Sequence, residues 1–251
     1  MKWCRTLLLV NSGELARSDD WKVLHESYVR AIQSLDFPEG SGTLTLRKRW
    51  KNPDSGKYAR NGVSYLKNRF LQQMTGIEGW KAEGQTGIQR LGREANLTMY
   101  PEFQSHSEQV ASKFGDFDFL TKTSSGFRAA IEWETGNISS SHRSLNKLVI
   151  ALSESAIDAG VLILPTRELY EHLTDRVGNI REISPYLSFW QNACDQETPK
   201  ILAITVVEHD FLTDDPSHPF LKVGNDGRAK EGRENIKKLV ESAKAARRKA
   251  T

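Results

Sequence analysis

The stretch Glu132-Trp133-Glu134-Thr135-Gly136-Asn137-Ile138-Ser139-Ser140-Ser141-His142-Arg143-Ser144-Leu145-Asn146-Lys147-Leu148 decides how this chain folds. It begins at the end of an apolar alternation over residues 127 to 134 and crosses a Thr-Gly-Asn break. It then enters a helical pattern from Ile138 to about Ser153, with Leu145, Leu148, Val149 and Leu152 on one stripe. Upstream, residues 117 to 122 alternate around Asp118, and Thr123-Ser124-Ser125-Gly126 is turn chemistry, so a β-hairpin is predicted. Downstream, residues 160 to 164 form an all-apolar strand stopped by Pro165, and residues 201 to 207 form another. Helical patterns lie between them at about 167 to 173 and 184 to 189. Strands alternating with helices predict an α/β fold, a central mixed sheet flanked by helices on both faces.

Glu132 and Glu134 are two residues apart on the predicted strand, so both side chains leave the same face while Ile131 and Trp133 leave the other. If the hairpin pairs residues whose numbers sum to 250, Asp118 stands opposite Glu132 on that face. Three converging carboxylates repel one another and destabilise the fold unless cations neutralise them, which points to a hard divalent ion with oxygen ligands. The alternative is that one or two of them simply face solvent at an edge, since a slip of one residue would turn Asp118 away.

Working outward, residues 21 to 35 carry a helix whose buried face is Trp21, Leu24, Tyr28, Ala31, Ile32 and Leu35, and residues 65 to 80 carry a second helical pattern. Residues 37 to 61 read as a loop or irregular strand. The chain is expected to be one domain over residues 1–251, with an N-terminal helical extension over 1–40 and a basic tail over 237–251. Its 251 residues are 38% apolar and 27% charged, which excludes a disordered or collagenous chain. The longest N-terminal apolar run, residues 7 to 10, falls short of a signal peptide, and no run approaches the roughly 18 residues that span a bilayer. A soluble, cytoplasmic protein with no membrane partner is expected. The two cysteines, Cys4 and Cys194, lack neighbouring ligands, and the six histidines form no zinc-binding spacing.

The net charge of +3 conceals a division. Residues 41 to 70 hold eight Lys/Arg against Asp54, a local +7; residues 222 to 251 hold ten against four acids, a local +6, which leaves −10 elsewhere. Two basic segments on an otherwise acidic chain suit a polyanion, or else are a solvated loop and tail.

An acid pair at a strand end after an upstream Asp is the layout of PD...(D/E)xK nucleases, in most of which a Lys stands where this chain has Glu134. The quoted stretch closely resembles the BamHI family of type II restriction endonucleases, which has this ExE variant. Residues 170 to 176, with their Leu-Thr-Asp-Arg ending, and Gly224-Asn225-Asp226-Gly227 resemble it too, as do Asn61-Gly62-Val63 and Trp80-Lys81-Ala82-Glu83 more weakly. The resemblance covers roughly residues 40 to 238.

The resemblance implies a restriction-endonuclease-like fold and Mg²⁺-dependent hydrolysis of double-stranded DNA, with one or two ions per site and Mn²⁺ as a substitute. It implies Glu83, Asp118 and Glu132 as metal ligands, with Asp116 as the competing upstream acid, and Glu134 as the group that orients or deprotonates the attacking water. It implies base contacts from Asn137, Ser139, Arg143, Asp175, Arg176 and Asp226. Two Arg and two Asp suit a GC-rich half-site, and the site implied is GGATCC, cut after the first G to leave four-base 5′ overhangs. The alternatives are a related GATC-centred site, or a non-cleaving DNA-binding protein of the same fold. A palindrome calls for a homodimer, with residues 141 to 153 and 166 to 173 at its interface, although Ser153-Glu154-Ser155-Ala156 replaces a more basic family segment. A bacterial setting with a cognate methyltransferase that acts without direct binding completes the expectation. Residues 237 to 249 would supply phosphate contacts or a minor-groove arm, or form a solvated frayed helix.

Overall fold

The computed structural model describes residues 1–77, 79–84, 97–107, 115–194 and 198–223. In chain order the elements are β1 (Lys2–Ser12), α1 (Asp19–Gln33), β2 (Thr45–Arg47), β3 (Trp50–Lys51), β4 (Tyr58–Ala59), α2 (Ser64–Thr75), β5 (Trp80–Gly84), β6 (Leu97–Thr98) and β7 (Ser105–His106). The second half holds β8 (Phe117–Lys122), β9 (Arg128–Trp133), α3 (Ile138–Ser153), β10 (Ala159–Pro165), α4 (Arg167–Glu171), α5 (Ile180–Ile183), α6 (Leu187–Ala193), β11 (Lys200–Glu208) and β12 (Phe211–Thr213).

Six strands form the central sheet in the order β1-β11-β10-β9-β8-β5. β10 runs parallel to both β9 and β11, whereas β1, β8 and β5 pair antiparallel with their neighbours, so the sheet is mixed as expected. Every residue of β10 and β11 is buried, because helices cover both faces of these parallel strands. Val161, Ile163, Ile201 and Ala203 pack with the core that includes Leu24 and Ile32 of α1, Phe70 of α2 and Leu169 of α4. Leu162, Leu164, Leu202, Ile204 and Val206 pack with Leu145, Leu148 and Leu152 of α3, Ile183 of α5 and Trp190 of α6.

The hairpin has the expected register: Phe119 pairs with Ile131 and Leu120 with Ala130. Ser18 starts α1 by accepting the Trp21 amide on its hydroxyl at 3.2 Å, with Asp19 and Asp20 favourably placed in the first turn.

Several expectations are corrected. The N-terminal residues are not a helical extension alone: Lys2–Ser12 is an edge strand of the central sheet, antiparallel to β11. The helical pattern of residues 65 to 80 stops at Thr75 before Gly76, and Trp80 opens β5. Residues 37 to 61, read as a loop or irregular strand, do hold short strands, β2, β3 and β4. The helix expected at 184 to 189 is a 3₁₀ turn, Ser184–Tyr186, followed by α6. The basic tail over 237–251 lies outside the described residues.

Candidate active site

Three of the expected acids, Asp118, Glu132 and Glu134, line one cleft at the open end of the hairpin. Asp118 on β8 is held by two groups: its Oδ2 accepts the Trp133 amide at 2.8 Å, and its Oδ1 lies 3.0 Å from the Lys67 ammonium of α2. Continuing the hairpin register by one pair sets Asp118 level with Glu132. On the other side, Ala82 pairs with Phe119 and Gly84 with Phe117, which sets the backbone of Glu83 level with Asp118. The Glu83 side chain is outside what is described. Asp116, the competing acid, lines the same cleft and its carbonyl accepts from Lys147 Nζ at 2.6 Å.

Glu132 and Glu134 are both buried, at 7% and 6% exposure. Glu132 is paired with Lys147, whose ammonium also lies 4.5 Å from the centre of the Phe117 ring. Burial pushes the Glu132 carboxyl up to about 7; Lys147 pulls it back and Asp118 adds to the rise. Glu134 lies one residue past β9, but its amide still donates to the Ile163 carbonyl at 3.2 Å, continuing the parallel ladder. Its Oε1 folds back to accept the Gly136 amide at 2.5 Å, while Oε2 is buried without a hydrogen bond. Burial likewise pushes this carboxyl up to about 7, opposed by the Gly136 amide and the neighbouring Ser141 hydroxyl. Gly136 is required here: a Cβ at that position would lie 2.5 Å from Ser140 Oγ and 3.0 Å from Glu134 Oε1.

The same turn starts α3. Asn137 caps it, its Oδ1 accepting the amides of Ser139 at 3.0 Å and Ser140 at 3.3 Å. Asn137, Ser139 and Arg143 are exposed. Arg143 makes no ion pair among the described residues.

Asp175 and Arg176 form a neighbouring turn, and both adopt left-handed backbone, φ 69° and 51°. For residues other than glycine this costs about 1–2 kcal/mol each, so the turn must be held from outside. Leu173 bridges to Asn61 before it, Val177 bridges to Asn137 after it, and the Thr174 amide donates to the Asn61 carbonyl at 2.9 Å. Asp175 is thereby brought beside α3. One cleft of about 600 Å³ is lined by Asp116, Asp118, Glu132, Glu134, Asn137, Arg143, Asp175, Lys67 and Lys147, among others. Ser139 and Arg176 do not line it; Asp226 lies outside the described residues.

A family model described as restriction endonuclease BamHI matches residues 1–228. The chain belongs to the BamHI restriction endonuclease family. It is 34% identical over 229 residues to the type II restriction enzyme OkrAI of Oceanobacter kriegii, covering 91% of this chain and 99% of that protein. It is 31% identical over 170 residues to the type II restriction enzyme BamHI of Bacillus amyloliquefaciens, covering 66% and 68%. A crystal structure of restriction endonuclease BglII with a DNA 16-mer aligns over 86% of this chain and 85% of that one, with 11% identity and a TM-score of 0.44.

For this member of the family, the donor set suits a hard divalent cation, being all carboxylate oxygen with one buried, unbonded oxygen on Glu134. Among the described residues no three His, Cys, Asp or Glu side chains close round one point. Lys67 and Lys147 supply the positive charge instead, each beside one acid. Neither lysine is legible in the sequence as a site residue, because a lysine on a helix reads as a solvated charge. The one usable signal was that Lys147 follows Arg143 by four residues and so shares its helix face.

Proposed function

We propose that this restriction endonuclease hydrolyses double-stranded DNA at a palindrome, GGATCC, after the first G, leaving four-base 5′ overhangs with 5′-phosphates. The observation that carries this is a single cleft lined by Asp118, Glu132 and Glu134 and also by Asn137, Arg143 and Asp175, three of the side chains that would read bases. Asp118, Glu132 and Glu83 would hold Mg²⁺. When bound, the ion supplies charge stabilisation for the phosphate and the departing oxygen.

Glu134 would orient the attacking water or take its proton: its carboxyl lines the cleft, and burial raises it to about 7, where a general base is effective. Trp133, through its amide, fixes Asp118, and Gly136 fixes Glu134. Asn137, Ser139 and Arg143 would read bases from the first turns of α3, whose N-terminus favours phosphate nearby. Arg143 would pair with guanine, and Asp175 would accept from cytosine, with Arg176 and Asp226 completing the set.

A palindrome implies a homodimer, formed through residues 141 to 153 and 166 to 173, working in a bacterial cytoplasm beside a methyltransferase that protects the same site. Among the described residues no helix is long and apolar enough to cross a membrane. The test is digestion of a mapped plasmid with Mg²⁺ and sequencing of the cut ends. Ends that do not fall one base into GGATCC overturn the site assignment, and absence of any metal-dependent cutting overturns the nuclease reading.

A further inference from the structure

Most of the positive charge in residues 41 to 70 lies away from the acids. Between residues 47 and 60 there are six Lys/Arg against one acid, Asp54. Trp50 pairs with Ala59 and Lys51 with Tyr58, so β3 and β4 form a hairpin. Its turn is well built: Asn52 Oδ1 accepts the amides of Asp54 at 2.8 Å and Ser55 at 3.1 Å, and Gly56 takes the left-handed φ of 65°.

Three cations gather round one exposed ring on this hairpin. Arg49 and Arg60 lie 5.7 and 5.5 Å from the centre of Tyr58, and Lys51 lies 6.0 Å from it. Each contact with the ring is mildly attractive, but like charges held this close repel. Glu171, 3.7 Å from Arg49, offsets one of them. Among the described residues neither Lys51 nor Arg60 pairs with a carboxylate. The arrangement mirrors the acid cluster with opposite sign, and the charge that would relieve it is an anion. Trp50 is 48% exposed and Tyr58 44%, so the hairpin offers flat apolar rings between its cations.

The hairpin is tied to the cleft through Asn61, which is fully buried. Its side-chain amide donates to the Arg47 carbonyl at 2.8 Å and the His172 carbonyl at 3.1 Å, and the Arg49 amide donates to His172 Nδ1 at 3.0 Å. Asn61 also accepts the Thr174 amide, immediately before the Asp175-Arg176 turn. The hairpin base and that turn are therefore fixed to one residue.

We infer that the β3-β4 hairpin is a sequence-independent phosphate clamp, in which Arg49, Lys51 and Arg60 grip the backbone of the DNA duplex while Trp50 and Tyr58 pack on its sugars. The inference rests on the DNA reading above. The measurement is duplex binding in EDTA as a function of KCl, with a fragment the enzyme cuts and one it does not, for the wild type and for Lys51→Ala/Arg60→Ala.

Two lost phosphate contacts reduce the slope of log K against log salt by about 1.8 per bound chain, equally on both fragments, while Lys51→Arg/Arg60→Lys keeps the wild-type slope. Matching melting temperatures for all three proteins confirm that folding is unchanged. An unchanged slope in the alanine variant overturns the clamp and leaves the nuclease reading standing, as does a loss confined to the cut fragment. A wild-type protein that binds neither fragment overturns the DNA reading and the clamp together.

Discussion

Replacing Glu134 with Gln should stabilise the metal-free protein at alkaline pH. Burial raises this carboxyl from 4.5 to about 7, so the folded state holds a proton that the unfolded chain releases. Between those values the native state binds more protons than the unfolded state, and stability falls as pH rises through the window. Above it, the charged Glu134 destabilises the fold by about 3 kcal/mol, at 1.36 kcal/mol per pH unit. Gln keeps an acceptor for the Gly136 amide and removes the charge, but its NH₂ group enters a buried place at Oε2, costing about 1–2 kcal/mol.

The net gain for Glu134→Gln at pH 8.5 in EDTA is therefore about 1–2 kcal/mol. At an m-value of about 3 kcal/mol/M, the urea midpoint moves up by about 0.5 M. At pH 4.5 the wild-type carboxyl is itself protonated, so the gain disappears and the unpaired amide makes the variant the less stable of the two. Added Mg²⁺ should raise the wild-type midpoint at pH 8.5 more than that of the variant. A variant less stable than the wild type by the same amount at both pH values would refute the reasoning, because it would mean that the Glu134 charge is not buried at a cost.

Glu134→Lys should lower plasmid cleavage by about 10²–10⁴-fold while a gel shift in EDTA still shows DNA binding; normal cutting would remove Glu134 from the catalytic role. Lys147→Met strands Glu132 as an unpaired buried charge and should destabilise the metal-free protein by about 3–5 kcal/mol in chemical denaturation at pH 8.5, much less at pH 5. Arg143→Lys, which loses the planar fork, should relax base preference at one position by about 1–3 kcal/mol, read by cleavage of a library with that position randomised. If no position relaxes, Arg143 does not read a base.

Much of the site lies close together in the chain. Residues 117 to 134 form a hairpin closed by a short turn, so the alternation and the turn together fix its register, and with it the level of Asp118 against Glu132. Asn137 as cap and the Leu145, Leu148, Leu152 stripe fix α3 equally locally. By contrast, β1 escaped the sequence because its bulges between Trp3 and Arg5 and between Leu8 and Val10 break the alternation that marks a strand. The end of α2 was overrun because Trp80 falls on its apolar period although Gly76 has already stopped the helix.

By itself, then, the sequence determined the sheet-forming strands of the second half, the acid pair on one face and the helix that follows it, since these depend on periods and turns within about thirty residues. Tertiary structure decided what neutralises the acids and where the Asp175-Arg176 turn stands. Lys67 reaches Asp118 from another element, and the left-handed Asp175 and Arg176 are held by Asn61 and Asn137 from distant parts of the chain. A lysine's partner and a strained turn's support are set by which elements pack together, and no local pattern encodes that.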